Sequence, residues 1–258
     1  MEPIFAGVDL GGTTITAALA DREGQVICQQ EIATDSHEGP EAVLARIAEL
    51  VERLASETGR RPAAVGMGVP GLVDVHTGIT KFFPNLPTQW REVRAAEYLS
   101  EHLSCPVRLL NDVRTATLGE LTFGHGRQGL VSMAFFALGT GVGGGVAIDG
   151  RLRLGPLGAA GELGHQTILP EGPRCGCGNR GCLETLASGP AIAAAGVRLL
   201  RSGLAPRLHA LTDGDAGRVT TREMAQAAEE GDQLVREAIE QAAVYLGIGV
   251  ANVVTVLH

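Results

Sequence analysis

Twice in this chain an apolar run breaks off in glycine and a second apolar run follows. Residues 4–10 (IFAGVDL) lead into Gly11-Gly12 and then residues 14–20 (TITAALA). Residues 131–138 (VSMAFFAL) lead into Gly139 to Gly145 and then residues 146–148. Short apolar runs bounded by glycine predict buried strands joined by tight turns. Helical patterns follow each time. Residues 41–57 place Val43, Leu44, Ile47, Leu50, Val51 and Leu54 on one face, and a long helix is expected from Asp232 past Val250. Between them, residues 25–33, 63–69 and 106–110 read as strands, and 92–103 and 113–122 as helices. The Gly-, Pro- and Cys-rich stretch 155–185 reads as irregular. The recurrence predicts an α/β protein of two lobes, a smaller one over 1–112 and a larger one over 113–258.

Both glycine turns offer backbone N–H groups. Asp9-Leu10-Gly11-Gly12-Thr13-Thr14 adds two hydroxyls and a carboxylate. It is either a plain hairpin turn or a cradle for phosphate oxygens, with Asp9 holding a Mg²⁺-bound water. Gly139 to Gly144 contains G-x-G-x-x-G, but a strand follows where a dinucleotide site needs a helix, and no P-loop motif occurs. Two such turns in two lobes suit a polyphosphate gripped from both sides.

Other functions are excluded by composition. Aromatic residues make up 3% of the chain, the net charge is −8, and no Lys/Arg-rich stretch of five or more occurs, so nucleic acid is not an expected partner. The N-terminus lacks a basic signal-peptide region, and the most apolar stretch (SMAFFALGTGVGGGVAI) is broken by five glycines. No membrane association is expected, and the location is expected to be cytoplasmic.

Asp112 follows a strand and precedes a helix. Ligands bind at the carboxyl ends of strands in such sheets, so this carboxylate either accepts a hydroxyl proton or simply caps the next helix. Cys175, Cys177 and Cys182 crowd into eight residues, with His165 ten residues before the first. Three Cys and one His fill a tetrahedral Zn²⁺ site with no open position, which makes the metal structural. Glu162 and Glu184 bracket the cluster and would be held beside the imidazole, where carboxylates suit sugar hydroxyls. Cys28 and Cys105 lie in apolar strand contexts and read as core.

Together these residues resemble the ROK family of sugar kinases and sugar-responsive repressors, within the actin-like ATPase superfamily. The resemblance is carried in order by Asp9 to Thr13, Pro70-Gly71, Pro84-Asn85-Leu86-Pro87, Asn111-Asp112, Gly139 to Gly145, Gly161-Glu162-Leu163-Gly164-His165 and the segment Cys175 to Glu184. It implies two ribonuclease-H-like lobes with ATP and a sugar in the cleft. It implies Asp112 as general base, and Asn85, Asn111, Asp112, Glu162, His165 and Glu184 as sugar contacts. Asp9, Gly11, Gly12, Thr13 and Thr14, with Gly139, Thr140, Gly141, Gly143 and Gly144, would serve the nucleotide. His165 would turn one ring nitrogen to zinc and the other to the sugar. The implied cofactors are ATP, Mg²⁺ and structural Zn²⁺, and the implied assembly is a homodimer or higher homo-oligomer. Position 14 is Thr where many members carry Lys or Asn.

The expected activity is phosphorylation of a hexose, glucose to glucose 6-phosphate first. The alternatives are an N-acetylmannosamine, N-acetylglucosamine or fructose kinase, polyphosphate as donor, or a sugar sensor without catalysis. A repressor would need a helix-turn-helix ahead of the first strand, which begins by residue 4. Members of the family usually continue for a few dozen residues past the apolar run Val253 to Leu257. The chain is therefore expected to be a fragment that keeps its sugar and zinc sites but binds ATP poorly.

Overall fold

The structure is a computed structural model that describes residues 2–84, 86–129, 132–156 and 158–257. It divides into two units. Residues 1–131 and 146–160 form the first, and 132–145 and 161–258 the second.

The first unit starts as a meander. In β1 (Phe5–Leu10) alternate residues Ala6, Val8 and Leu10 are buried, the period of a strand with one face on a core. β1 pairs antiparallel with β2 (Thr14–Ala20), and β2 with β3 (Val26–Ala33). A parallel partner then needs a crossover, and α1 (Pro40–Thr58) supplies it. Its stripe Val43, Leu44, Ile47, Leu50, Val51 and Leu54 is buried, each side chain contributing ~1.5–3 kcal/mol relative to exposure. The helix stops at Gly59, which takes the left-handed conformation that a side chain disfavours.

β4 (Val65–Val69) returns parallel to β1. The small ribbon β5 (Leu72–Val73) and β6 (Thr80–Phe82) follows, then α2 (Ala95–Leu103). β7 (Val107–Asn111) lies parallel to β4 and feeds directly into α3 (Asp112–Phe123). The sheet order is β3-β2-β1-β4-β7, with Cys28 and Cys105 packed against the core as expected.

The second unit opens with β8 (Met133–Leu138). β9 (Val142–Ile148) follows, and its last residues lie in the first unit, where Ile148 pairs with Arg151 of β10 (Arg151–Leu152). An irregular stretch then reaches α4 (Glu184–Ala187), α5 (Gly189–Arg201), α6 (Pro206–Thr212), α7 (Thr221–Glu229) and α8 (Gln233–Leu257). Leu200, Leu208, Val219, Met224, Ala227 and Val235 form its helical core. Two polar devices order these helices. Thr220 and Glu223 make a capping box on α7, and the buried Asp232 carboxylate accepts the first N–H groups of α6, from Arg207 at 2.9 Å and Leu208 at 2.8 Å. By length and composition alone α8 can cross a membrane, but it packs along α4, α5 and α7.

Two expectations need correction. The structural division falls after residue 131 rather than at 112, because α3 packs on β4 and β7 and so stays with the first sheet. The second glycine turn is also shorter than the run Gly139 to Gly145. The strand resumes at Val142, so Gly143 and Gly144 are strand residues. Glycine is needed there for space. A Cβ on Gly144 would sit 2.5 Å from Leu163 Cγ and 2.6 Å from the Gly161 carbonyl oxygen.

Gly144→Ala is therefore expected to cost ~1–3 kcal/mol through overpacking, while Gly66→Ala, on the open face of β4 with no atom within 4 Å, should change stability by less than ~0.5 kcal/mol. Urea unfolding of the two variants checks this.

Candidate active site and metal centre

The first unit gathers acidic groups at the carboxyl ends of its parallel strands. Asp9 lies on β1 opposite Gly68 of β4, and Gly68 lies opposite Leu110 of β7, one residue before Asn111 and two before Asp112. A Cβ on Gly68 would come 3.6 Å from Asp9 Oδ1 and 3.5 Å from Asp112 Cα. The bare backbone of β4 thus leaves the two aspartates a common space. Burial lifts the Asp112 carboxyl above the ordinary carboxylate range, against the opposing pull of the Val113 N–H and the Arg114 charge. Asp9 keeps a solvent-facing edge but is also raised, first by burial and then by the negative charge of Asp112.

Asp112 does not cap α3. The cap is Asn111, whose Oδ1 accepts the Arg114 backbone N–H at 3.3 Å, and Asp112 is the first helical residue. Asp112 Oδ1 accepts the first-turn N–H of Val113 at 2.8 Å, and the Asn111 side chain also hydrogen-bonds this carboxylate. Asn111 spends both ends of its amide on the fold. Oδ1 also accepts from Arg114 Nη1 at 2.8 Å, and Nδ2 donates to the carbonyls of Gly71 at 3.3 Å and Val69 at 3.5 Å.

The first glycine turn is a braced hairpin. The Gly11 N–H is given to the Thr14 carbonyl at 2.8 Å, so it is not the free donor that the sequence suggested. Thr34 hydrogen-bonds to the Thr13 and Gly11 carbonyls, and Ser36 to that of Gly12. Gly12, Thr13 and Thr14 form the solvent-facing tip, with both threonines exposed. Asn85 lies outside the described residues.

In the second unit, Gly139 to Gly141 forms a tight turn, with the Gly139 N–H on the Gly141 carbonyl at 2.9 Å and Thr140 exposed at its tip. Glu184, the first residue of α4, reaches this turn. Its Oε2 accepts the Val142 N–H at 3.1 Å, and a Cβ on Gly141 would meet that oxygen at 2.4 Å. No local pattern signals this contact, because the partners are 42 residues apart. Glu162 is exposed and precedes the short 3₁₀ turn Leu163–His165, whose His165 N–H bonds the Glu162 carbonyl at 3.0 Å.

His165, Cys175, Cys177 and Cys182 converge, with one ligand atom from each lying within 4.8 Å of all the others. The Cys177 and Cys182 sulfurs are 3.6 Å apart, as are Cys175 Sγ and His165 Nδ1. A tetrahedron with ~2.3 Å metal–sulfur bonds has edges of ~3.8 Å, so the four donors fit one ion. The backbone shapes the loop, with the Cys175 N–H on the Asn179 carbonyl at 2.8 Å and the Gly181 N–H on Pro173 at 2.8 Å. Burial and the adjoining Cys177 and Cys175 groups push the Cys182 thiol up to about 12. A bound cation is what favours thiolates in such a crowd. All five cysteines are free.

The sequence profile of the ROK family matches residues 5–258. The chain belongs to the ROK family. This ROK chain is 34% identical to a glucokinase of Halalkalibacterium halodurans, over 98% of its own length and 77% of the relative's. It is 33% identical to a xylose repressor of Caldicellulosiruptor bescii, over 98% of its length and 63% of the repressor's. Among solved structures it is similar to a ROK family glucokinase from Streptomyces griseus in complex with glucose and AMPPNP. The TM-score is 0.79 at 32% identity, covering 98% of this chain and 80% of that one. The fold is thus the α/β actin-like ATPase fold of ROK proteins.

The Asp9–Asp112 pair makes a prediction for this ROK protein. A carboxyl raised in the folded state binds its proton more tightly there. Its stability contribution is full below the unfolded value of 3.8 and is lost as pH rises through the folded value. Asp9→Asn should melt higher than the parent at pH 7, with the gain closing below pH 4 or so. Paired thermal scans across that range check the sign.

Proposed function

We propose that this ROK protein is an ATP-dependent sugar kinase that transfers the γ-phosphoryl group to a hexose hydroxyl, with glucose as first substrate. The observation that carries the reading is Asp112: a carboxylate that follows the end of a parallel strand, is raised by burial and leaves the N-cap of α3 to Asn111. Phosphoryl transfer asks a protein mainly to position its reactants and to take the hydroxyl proton. Asp112 is the general base in this reading, and burial raises its affinity for a proton.

Asp9 would hold a water of a hydrated Mg²⁺, and that ion neutralises phosphate charge when bound with the nucleotide. The exposed tips Gly12 to Thr14 and Gly139 to Gly141 serve the phosphates. Gly143 and Gly144 then support the second tip as strand residues instead of touching the nucleotide. Asn85, Glu162, His165 and Glu184 serve the sugar, as the resemblance implies. His165, Cys175, Cys177 and Cys182 hold a structural Zn²⁺ that fixes the loop carrying Glu184. The likeness to a glucokinase seen with glucose and AMPPNP supports both substrates. The likeness to a xylose repressor favours one alternative, a sugar sensor of the same fold without turnover.

A coupled kinase assay over glucose, N-acetylmannosamine, N-acetylglucosamine and fructose, with ATP or polyphosphate as donor, separates these. Phosphorylation of glucose at the highest kcat/KM is the expected result, and sugar binding with no turnover on any donor would establish the sensor instead. Asp112→Asn should lower kcat by about 10²-fold or more while sugar still binds, measured by calorimetry. Elemental analysis of the purified protein should give one zinc per chain. Cys182→Ser should lose most of that zinc and bind sugar more weakly.

A further inference from the structure

Arg114 is the largest of the fully buried side chains, 2% exposed, on the first turn of α3. Burying a guanidinium is costly unless its donors are matched, and the cost is met for a reason. Among its hydrogen bonds are contacts to two places beside the groups that the proposed chemistry uses. Nη1 holds Asn111 Oδ1 at 2.8 Å, while Nε and Nη2 both hold the Ala160 carbonyl, at 3.2 and 3.1 Å. The first contact fixes which way the Asn111 amide faces, and so sends Nδ2 to Val69 and Gly71. Asn111 immediately precedes the proposed general base. The second contact fixes the residue before Gly161, where the chain enters the segment carrying Glu162 and His165.

We propose that Arg114 is a positioning residue for the sugar: one buried guanidinium sets both the strand end that presents Asp112 and the start of the segment that presents Glu162 and His165. The proposal rests on the sugar-kinase reading. It separates Arg114 from residues that merely stabilise, because the consequence falls on the acceptor substrate and spares the nucleotide. Only a planar fork with several fixed donors reaches both acceptors. Lysine keeps the charge but is a single point with a flexible stem.

The test compares the parent with Arg114→Lys and Arg114→Met. Kinetics are measured for sugar and ATP separately, sugar affinity by calorimetry, stability by thermal melting, and hydrogen exchange over residues 157–165. A displacement of reacting groups by about 1 Å costs up to ~10²-fold, so both variants should lose ~10-fold or more in kcat and in sugar affinity. The KM for ATP should stay within about twofold, and the added exchange should be confined to residues 157–165 and the start of α3. Lysine should restore little of the loss. Variants that fail to fold, or that melt lower with parental sugar affinity and turnover per folded molecule, mark Arg114 as a stabilising residue and overturn the proposal. Equal losses toward sugar and ATP also overturn it. A parent that neither binds nor phosphorylates any sugar of the panel overturns the kinase reading first, and this inference with it.

Discussion

Three parallel strand ends, with a glycine on the middle one, set the terms for the first unit. Strands in a sheet lie ~4.8 Å apart, so Asp9 on β1 and Asp112 after β7 face each other only across β4. Gly68 lies between them, and burial raises both carboxyls from their ordinary value, Asp9 further through the charge of Asp112. The crossover helix α1 and the unbroken passage from β7 into α3 are the scaffold that keeps them there.

The second unit solves a different problem. Its stretch between β9 and α4 has little regular structure and few large apolar side chains, so hydrophobic packing alone does not hold it. Backbone hydrogen bonds fold the Cys175–Cys182 segment, and four soft donors then meet at one point. Glu184 follows this knot and its carboxylate accepts the Val142 N–H, so the Cys/His loop and the glycine turn are joined within one unit. Gly141 lacks a side chain because the Glu184 oxygen occupies that place.

Kinases and repressors both appear among this chain's relatives. A shared fold does not by itself choose between catalysis and sensing.

Where local periodicity decides structure, the sequence was sufficient. β2 runs over the residues read from TITAALA, α1 buries the face read from its period, and the His/Cys spacing named the four residues that converge. Those signals are local because a strand or helix shows its buried face at every second or every third to fourth residue, and a metal knot shows its ligands by type. Other features depended on contacts between residues far apart in the chain. Val142 begins a strand inside a glycine run, and Gly144 has no room for a side chain beside Gly161 and Leu163. Asn111 takes the cap from Asp112, and α3 stays with the first sheet. Arg114 is buried, although arginine in a helix reads as a surface residue, because a carbonyl 46 residues away turns toward it. Composition and period fix which face of an element is apolar; only the packed chain decides which polar atom a buried charge will meet.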